Sequence, residues 1–159
     1  MRMEHKGYTF VVANTQLWKS PLDGESEAHN DWVIQTVQAA KEKGFPIFIV
    51  QHYPLYIDTP DEEEEYYNFP VDKRKELLAL YEQCNVVAVL AGHTHKTLVN
   101  QYGDIQLVTG GSTSRNLDHQ LFGFRVWTVS KSAIKHEFIP LQPVGSFKLK
   151  ILNNKPYEN

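Results

Sequence analysis

The chain has 159 residues, with 16 Lys and Arg against 19 Asp and Glu, a net charge of -3, 42% hydrophobic and 22% charged residues. That length suits a single domain with a sizeable core of its own, and the slight acidity leaves no electrostatic footprint for nucleic acid or an anionic membrane surface. No apolar run reaches the ~20 residues that cross a bilayer, and the polar start Met1-Arg2-Met3-Glu4-His5-Lys6 is unlike a signal peptide, so a cytoplasmic protein is expected.

Residues 8–13 read as a strand by their β-branched and aromatic content and run into Asn14-Thr15. After the turn formers of residues 20–24, Ser26 is placed to N-cap a helix that carries Trp32, Val33, Val37 and Ala40 on one face and stops at Gly44. Residues 45–50 form a second apolar run, with Pro46 near its start where a missing N–H is tolerated; it ends in Gln51-His52-Tyr53-Pro54. Residues 56–70 are loop-like and hold the acid run Asp61-Glu62-Glu63-Glu64-Glu65, which lacks the alternating ligands of a calcium loop and reads as a solvated face. Residues 71–84 form an amphipathic helix, with Leu77, Leu78, Leu80 and Tyr81 opposite Lys73, Arg74 and Lys75. The only cysteine, Cys84, closes this helix and reads as a buried structural thiol.

Val86-Val87-Ala88-Val89-Leu90-Ala91 is a buried parallel strand, and it ends in Gly92-His93-Thr94-His95. In extended backbone, alternate residues project to the same side roughly 6–7 Å apart, so His93 and His95 can face one pocket. Gly92 is expected to give room for the turn and for a close approach. The order strand, helix, strand, helix, strand makes the three strands parallel, and parallel strands end at one edge, where open α/β sheets bind ligands. Asn14, His52, His93 and His95 should therefore gather. Three histidines at matched strand ends point to a metal site, the alternative being satisfied loop histidines.

Beyond the histidines come strands without helices. Residues 97–101 and 105–109 flank the hairpin connection Tyr102-Gly103-Asp104, and residues 122–129 and 133–139 alternate apolar with polar as a meander does. Gly110-Gly111-Ser112-Thr113-Ser114 is either a phosphate cradle or a rim loop. Arg115 and Asn116, which follow it, are candidates to hold a substrate phosphate, the alternative being a solvated loop. His119 and His136 are expected on the surface, and residues 147–151 read as one more strand before the tail frays. The chain is taken as one domain over 1–159, with a parallel α/β part at about 8–96 and an antiparallel part at about 97–152.

Taken together, Gly92-His93-Thr94-His95 after an apolar strand, His52 in Gln51-His52-Tyr53-Pro54, and Leu107-Val108-Thr109-Gly110-Gly111-Ser112 downstream resemble the C-terminal half of a calcineurin-like metallophosphoesterase, over roughly residues 8–140. The resemblance implies an α/β/β/α sandwich and a pair of divalent ions, Mn, Fe or Zn, that activate a water against a phosphoester. It also implies that His52 and His93 bind the second ion and His95 the first. The family's Asp-x-His, Gly-Asp-x-x-Asp and Gly-Asn-His elements are absent, and Gly103-Asp104 does not replace them because it sits in a hairpin turn. The expectation is thus half a site: three metal ligands, no bridging carboxylate and no general acid in this chain. A truncated reading frame, a proteolytic fragment or one chain of a split protein would account for it. Such a half should expose a sheet edge and an apolar face, and so self-associate or pair with the missing amino half. The acid run with Tyr66-Tyr67 is similar to the branch of the family that acts on phosphoproteins. Two other classes stay open: a mononuclear zinc hydrolase built on the three histidines, and a non-catalytic interaction domain that keeps the sandwich.

Overall fold

Apolar runs separated by helical segments leave this chain one economical arrangement: strands side by side, with the helices covering one face. In the computed structural model, which describes residues 1–130 and 133–141, the strands are β1 (Arg2–His5), β2 (Tyr8–Val12), β3 (Ile47–Val50), β4 (Val86–Ala91), β5 (Leu98–Tyr102), β6 (Ile105–Thr109), β7 (Gly123–Val129) and β8 (Ile134–Pro140). The helices are α1 (Gln16–Lys19), α2 (Glu25–Glu42) and α3 (Val71–Gln83). Six strands form one sheet in the order β1-β2-β3-β4-β6-β5, and β7 and β8 form a second.

The β2, β3, β4 and β6 strands are parallel, with Val12 opposite Val50, Val50 opposite Leu90, and Ala91 opposite Thr109. Their carboxyl ends are therefore level. The helices cover one face of this sheet, where Val11, Ile47, Ile49, Val86 and Val89 pack with Val33, Val37, Ala40, Leu77, Leu78 and Tyr81. The second sheet covers the other face, where Trp127 meets Phe48 edge-on at 5.8 Å. Helices, sheet and sheet make three layers of the expected sandwich, and among the described residues no helix lies outside the second sheet.

Several local expectations change. The β5–β6 hairpin is antiparallel as expected, but it joins the main sheet with β6 inserted between β4 and β5, so the parallel region runs past residue 96 to Thr109. The polar start forms β1, which pairs antiparallel with β2 because backbone bonding does not require apolar side chains. Gly24, not Ser26, occupies the N-cap of α2; Ser26 lies in the first turn, where its Oγ accepts from the Leu22 N–H and donates to the Leu17 carbonyl. Arg74, assigned to the polar face of α3, is completely buried. His136 is half-buried, within 2.7 Å of the Arg125 guanidinium and 4.5 Å from the Trp127 ring, whereas His119 is exposed as expected. Cys84 is buried, which raises its thiol above the usual range. The strand expected at residues 147–151 lies outside the described residues. No helix among the described residues is long and apolar enough to cross a membrane.

Candidate metal centre

The level ends of β2, β3 and β4 put Asn14, His52 and the His93–His95 turn on one edge. His52 and His93 meet there, with His93 Nδ1 2.9 Å from His52 Nε2 and ring centroids 4.7 Å apart. The backbone reaches this geometry differently from the extended arrangement expected. The strand stops at Ala91, and His93 and His95 both take left-handed backbone, with φ of 69° and 55°. The Thr94 N–H donates to the Gly92 carbonyl at 2.8 Å and tightens the turn. A left-handed β-carbon costs on the order of 1 kcal/mol for each residue, and such costs concentrate at functional sites. Gly92 does not carry the strain: a Cβ there would meet only the His52 carbonyl, at 4.0 Å.

The two histidines of the motif differ in exposure. His95 is exposed, and its carbonyl accepts from the Leu117 N–H at 2.7 Å. Among the described residues, no three His, Cys, Asp or Glu side chains are grouped so as to hold a metal ion. What converges is a pair of imidazoles. Two nitrogens bound to one tetrahedral ion at about 2.1 Å stand roughly 3.4 Å apart, so His52 and His93 need to part by only about half an ångström to share one. His93 also keeps a buried Nε2 without a hydrogen-bond partner. Burial holds the His93 imidazole below the usual histidine range; the nearby His52 and His95 rings act in the same direction and the Tyr66 backbone opposes them, without reaching hydrogen-bond geometry at Nε2. A depressed value keeps the ring neutral at neutral pH, the form that binds cations. The pair fits part of a metal site, but this chain's described residues bring no carboxylate and so do not complete one.

Further residues surround the pair. The buried Tyr53 ring lies 4.3 Å from the His93 ring. The Tyr53 hydroxyl and the Gln16 Oε1 are 3.1 Å apart, and the Tyr53 N–H donates to Thr15 Oγ1. The Tyr66 ring lies 4.8 Å from His93 on a side open to solvent. Asn14, expected at the site, spends its N–H on His29 Nε2 at 3.1 Å and its Oδ1 on the Gln16 N–H. No motif marks His29, and Tyr53 stands in the Gln51-His52-Tyr53-Pro54 element without a role of its own. The contacts depend on loops brought together from positions 15 to 40 residues apart in sequence.

The Gly-Gly-Ser loop leaves the β6 end at the same edge but is not a cradle. The Ser112 N–H donates to Asn116 Oδ1 at 2.6 Å, and the Ser114 and Arg115 N–H groups donate to Ser112 Oγ, so these donors are already used. Asn116 also donates from Nδ2 to the Gln120 and Leu121 carbonyls, which commits its amide to the loop and not to a phosphate. A Cβ at Gly111 would come within 2.7 Å of Asn116 Oδ1 and would make that side chain shift. Arg115 is exposed on the rim. A cleft of about 680 Å³ lies at the opposite edge of the sheet, lined by Lys6, Tyr8, Phe45, Gln106 and Ile134 among others, and touches none of the histidines.

No protein-family model matches the chain. It is 29% identical over 142 residues to the serine/threonine-protein phosphatase CPPED1 of Danio rerio and 28% identical over 143 residues to that of Homo sapiens. Both alignments cover 87% of this chain and 46% of the relative, so the chain spans about half the length of the curated relatives it matches. Among solved structures, GAP50, described as the anchor in the inner membrane complex of Plasmodium, superposes with a TM-score of 0.61 at 20% identity, covering 88% of this chain and 48% of that one, a likeness of fold. With the strand-end histidines and the sheet order, these likenesses relate the chain to the calcineurin-like metallophosphoesterases.

Proposed function

We propose that this chain supplies the histidine-bearing half of a metal-dependent phosphoesterase site, which a further segment must complete. The observation that carries the reading is the His52–His93 pair, 2.9 Å apart at matched ends of parallel strands. His95, two residues on, is the third ligand in this reading. Divalent cations are the cofactor, and a phosphoester, including one on a protein, is the substrate, as the phosphatase names of the relatives suggest. The second sheet offers a surface to the completing segment, since its outward face exposes Phe124 and, at one end, Leu121 and Leu141.

Imidazoles alone leave the charge of a metal pair uncompensated, a task carboxylates perform in two-metal hydrolases. The isolated chain should therefore bind Mn²⁺ weakly and hydrolyse p-nitrophenyl phosphate near background. Joined to an amino-terminal segment carrying the missing carboxylates, it should become Mn²⁺-dependent, and His93→Ala should then lower kcat/KM by on the order of 10²-fold. Calorimetric Mn²⁺ titration of both forms, beside the assay, checks this. Strong activity of the 159-residue chain alone, abolished by His93→Ala, would falsify the half-site reading.

A further inference from the structure

Tyr66 is 74% exposed, yet its position is over-determined. The preceding residue is held from both sides: the Glu65 N–H donates to Asn68 Oδ1 at 2.6 Å, and the Glu65 carbonyl accepts from Lys19 Nζ at 2.6 Å. Lys19 also pairs with Glu64 at 2.8 Å. Asn68 is completely buried, and its Nδ2 donates to Glu62 Oε1 and to the Glu63 carbonyl. Glu62 turns inward, so that its carboxylate accepts from the N–H groups of Ile57, Asp58 and Thr59. Beneath it, the buried Arg74 donates to the carbonyls of Pro60, Glu62 and Phe69. Burying polar groups of this kind is costly unless they are bonded, and within the Arg74 guanidinium only Nε lacks a partner. The result of that arrangement is a rigid strap that presents one solvent-facing aromatic ring beside His93.

We propose that Tyr66 is a specificity-determining residue, a fixed wall against which the organic part of a phosphoester packs while its phosphate lies at the histidines. This rests on the phosphoesterase reading. A ring whose orientation is fixed before binding loses little entropy on contact, and an aromatic contact favours partners with an apolar or aromatic face over small hydrated ones. The substrate class is accordingly a phosphoester with such a face near the phosphorus, whether an aryl group or an apolar residue flanking a phosphorylated side chain. Lys19 and Asn68 are positioning residues for the ring.

The test compares phenyl phosphate with glycerol 2-phosphate on the completed enzyme. Tyr66→Ala should lower the ratio of their kcat/KM values roughly 2- to 10-fold, mainly through KM for the aryl ester, while Tyr66→Phe keeps the ratio. In the 159-residue chain itself, Tyr66→Ala should move the His93 ring proton resonances and leave those of His119 in place, because the aromatic neighbour is lost without unfolding. An active enzyme whose ratio is unchanged in Tyr66→Ala, or an unmoved His93 resonance, overturns the wall and leaves the phosphoesterase reading standing. A completed enzyme inactive on both esters overturns that reading, and the wall with it.

Discussion

Two loops border the histidine pair, and they are built in opposite ways. Residues 57–70 are dense in charge, yet Asn68 and Arg74 beneath them are completely buried and Glu62 is folded inward. Residues 110–121 are rich in Gly, Ser and Asn, and they are held by bonds near the surface: Asn116 to the Ser112 N–H and the Gln120 and Leu121 carbonyls, Asp118 to the Thr97 N–H. The acidic loop is the one with a buried polar framework; the small-residue loop is clasped from outside. Composition alone therefore misjudges a loop. Its order depends on where the backbone N–H and C=O groups find partners, and a carboxylate turned inward satisfies more of them than a solvated one.

Removing Arg74 should break the first loop most severely. Arg74→Met leaves three carbonyls without their donor where the wild-type side chain is completely buried, at a cost of about 3 kcal/mol or more. Denaturant unfolding monitored by tryptophan fluorescence would measure it, and a loss below about 1 kcal/mol would mean that water replaces the guanidinium. Glu62 sharpens the comparison by its pH dependence. Burial pushes its carboxyl up, but the N–H of Asp58, the Asn68 amide and the N–H groups of Ile57 and Thr59 outweigh it, so the folded value lies below the ordinary 4.5. A depressed carboxylate gives stability that is full above its unfolded value and is lost as pH falls through the folded one. Stability should thus decline below about pH 4.5 in the wild type. Glu62→Gln should cost about 1–2 kcal/mol at pH 7 and flatten that decline, which unfolding curves between pH 3 and 7 can follow. Asn116→Ala is the mildest change, at about 1 kcal/mol or less because its partners are near solvent. Limited proteolysis should then cut within residues 110–121 sooner while global unfolding barely moves. Equal sensitivity of the two loops would erase the distinction between them.

Much of the framework follows from local pattern. Apolar runs at residues 8–13, 45–50 and 86–91 separated by helical periodicities yield parallel strands, and parallel strands must end together, so His52 and His93 share an edge as a consequence of chain order. The hairpin at residues 98–109 and the alternating strands β7 and β8 are equally legible, because side-chain period and turn residues are local properties.

Only the tertiary structure decided the rest. Arg74 has the sequence of a surface residue, and it is buried because carbonyls of the 60–69 segment fold over it. Tyr66 reaches His93 because Lys19, 46 positions before the Glu65 carbonyl, captures that backbone. The insertion of β6 beside β4 depends on edge hydrogen bonds, which any strand can offer and no side-chain pattern encodes. His93 and His95 take left-handed backbone where an extended chain is expected, so the turn that carries them is not one that strand periodicity predicts. Periodicity tells which face of an element is apolar. Which polar groups pair, and therefore which side chains stand rigidly around a site, depends on contacts between residues distant in sequence, and those exist only once the chain has folded.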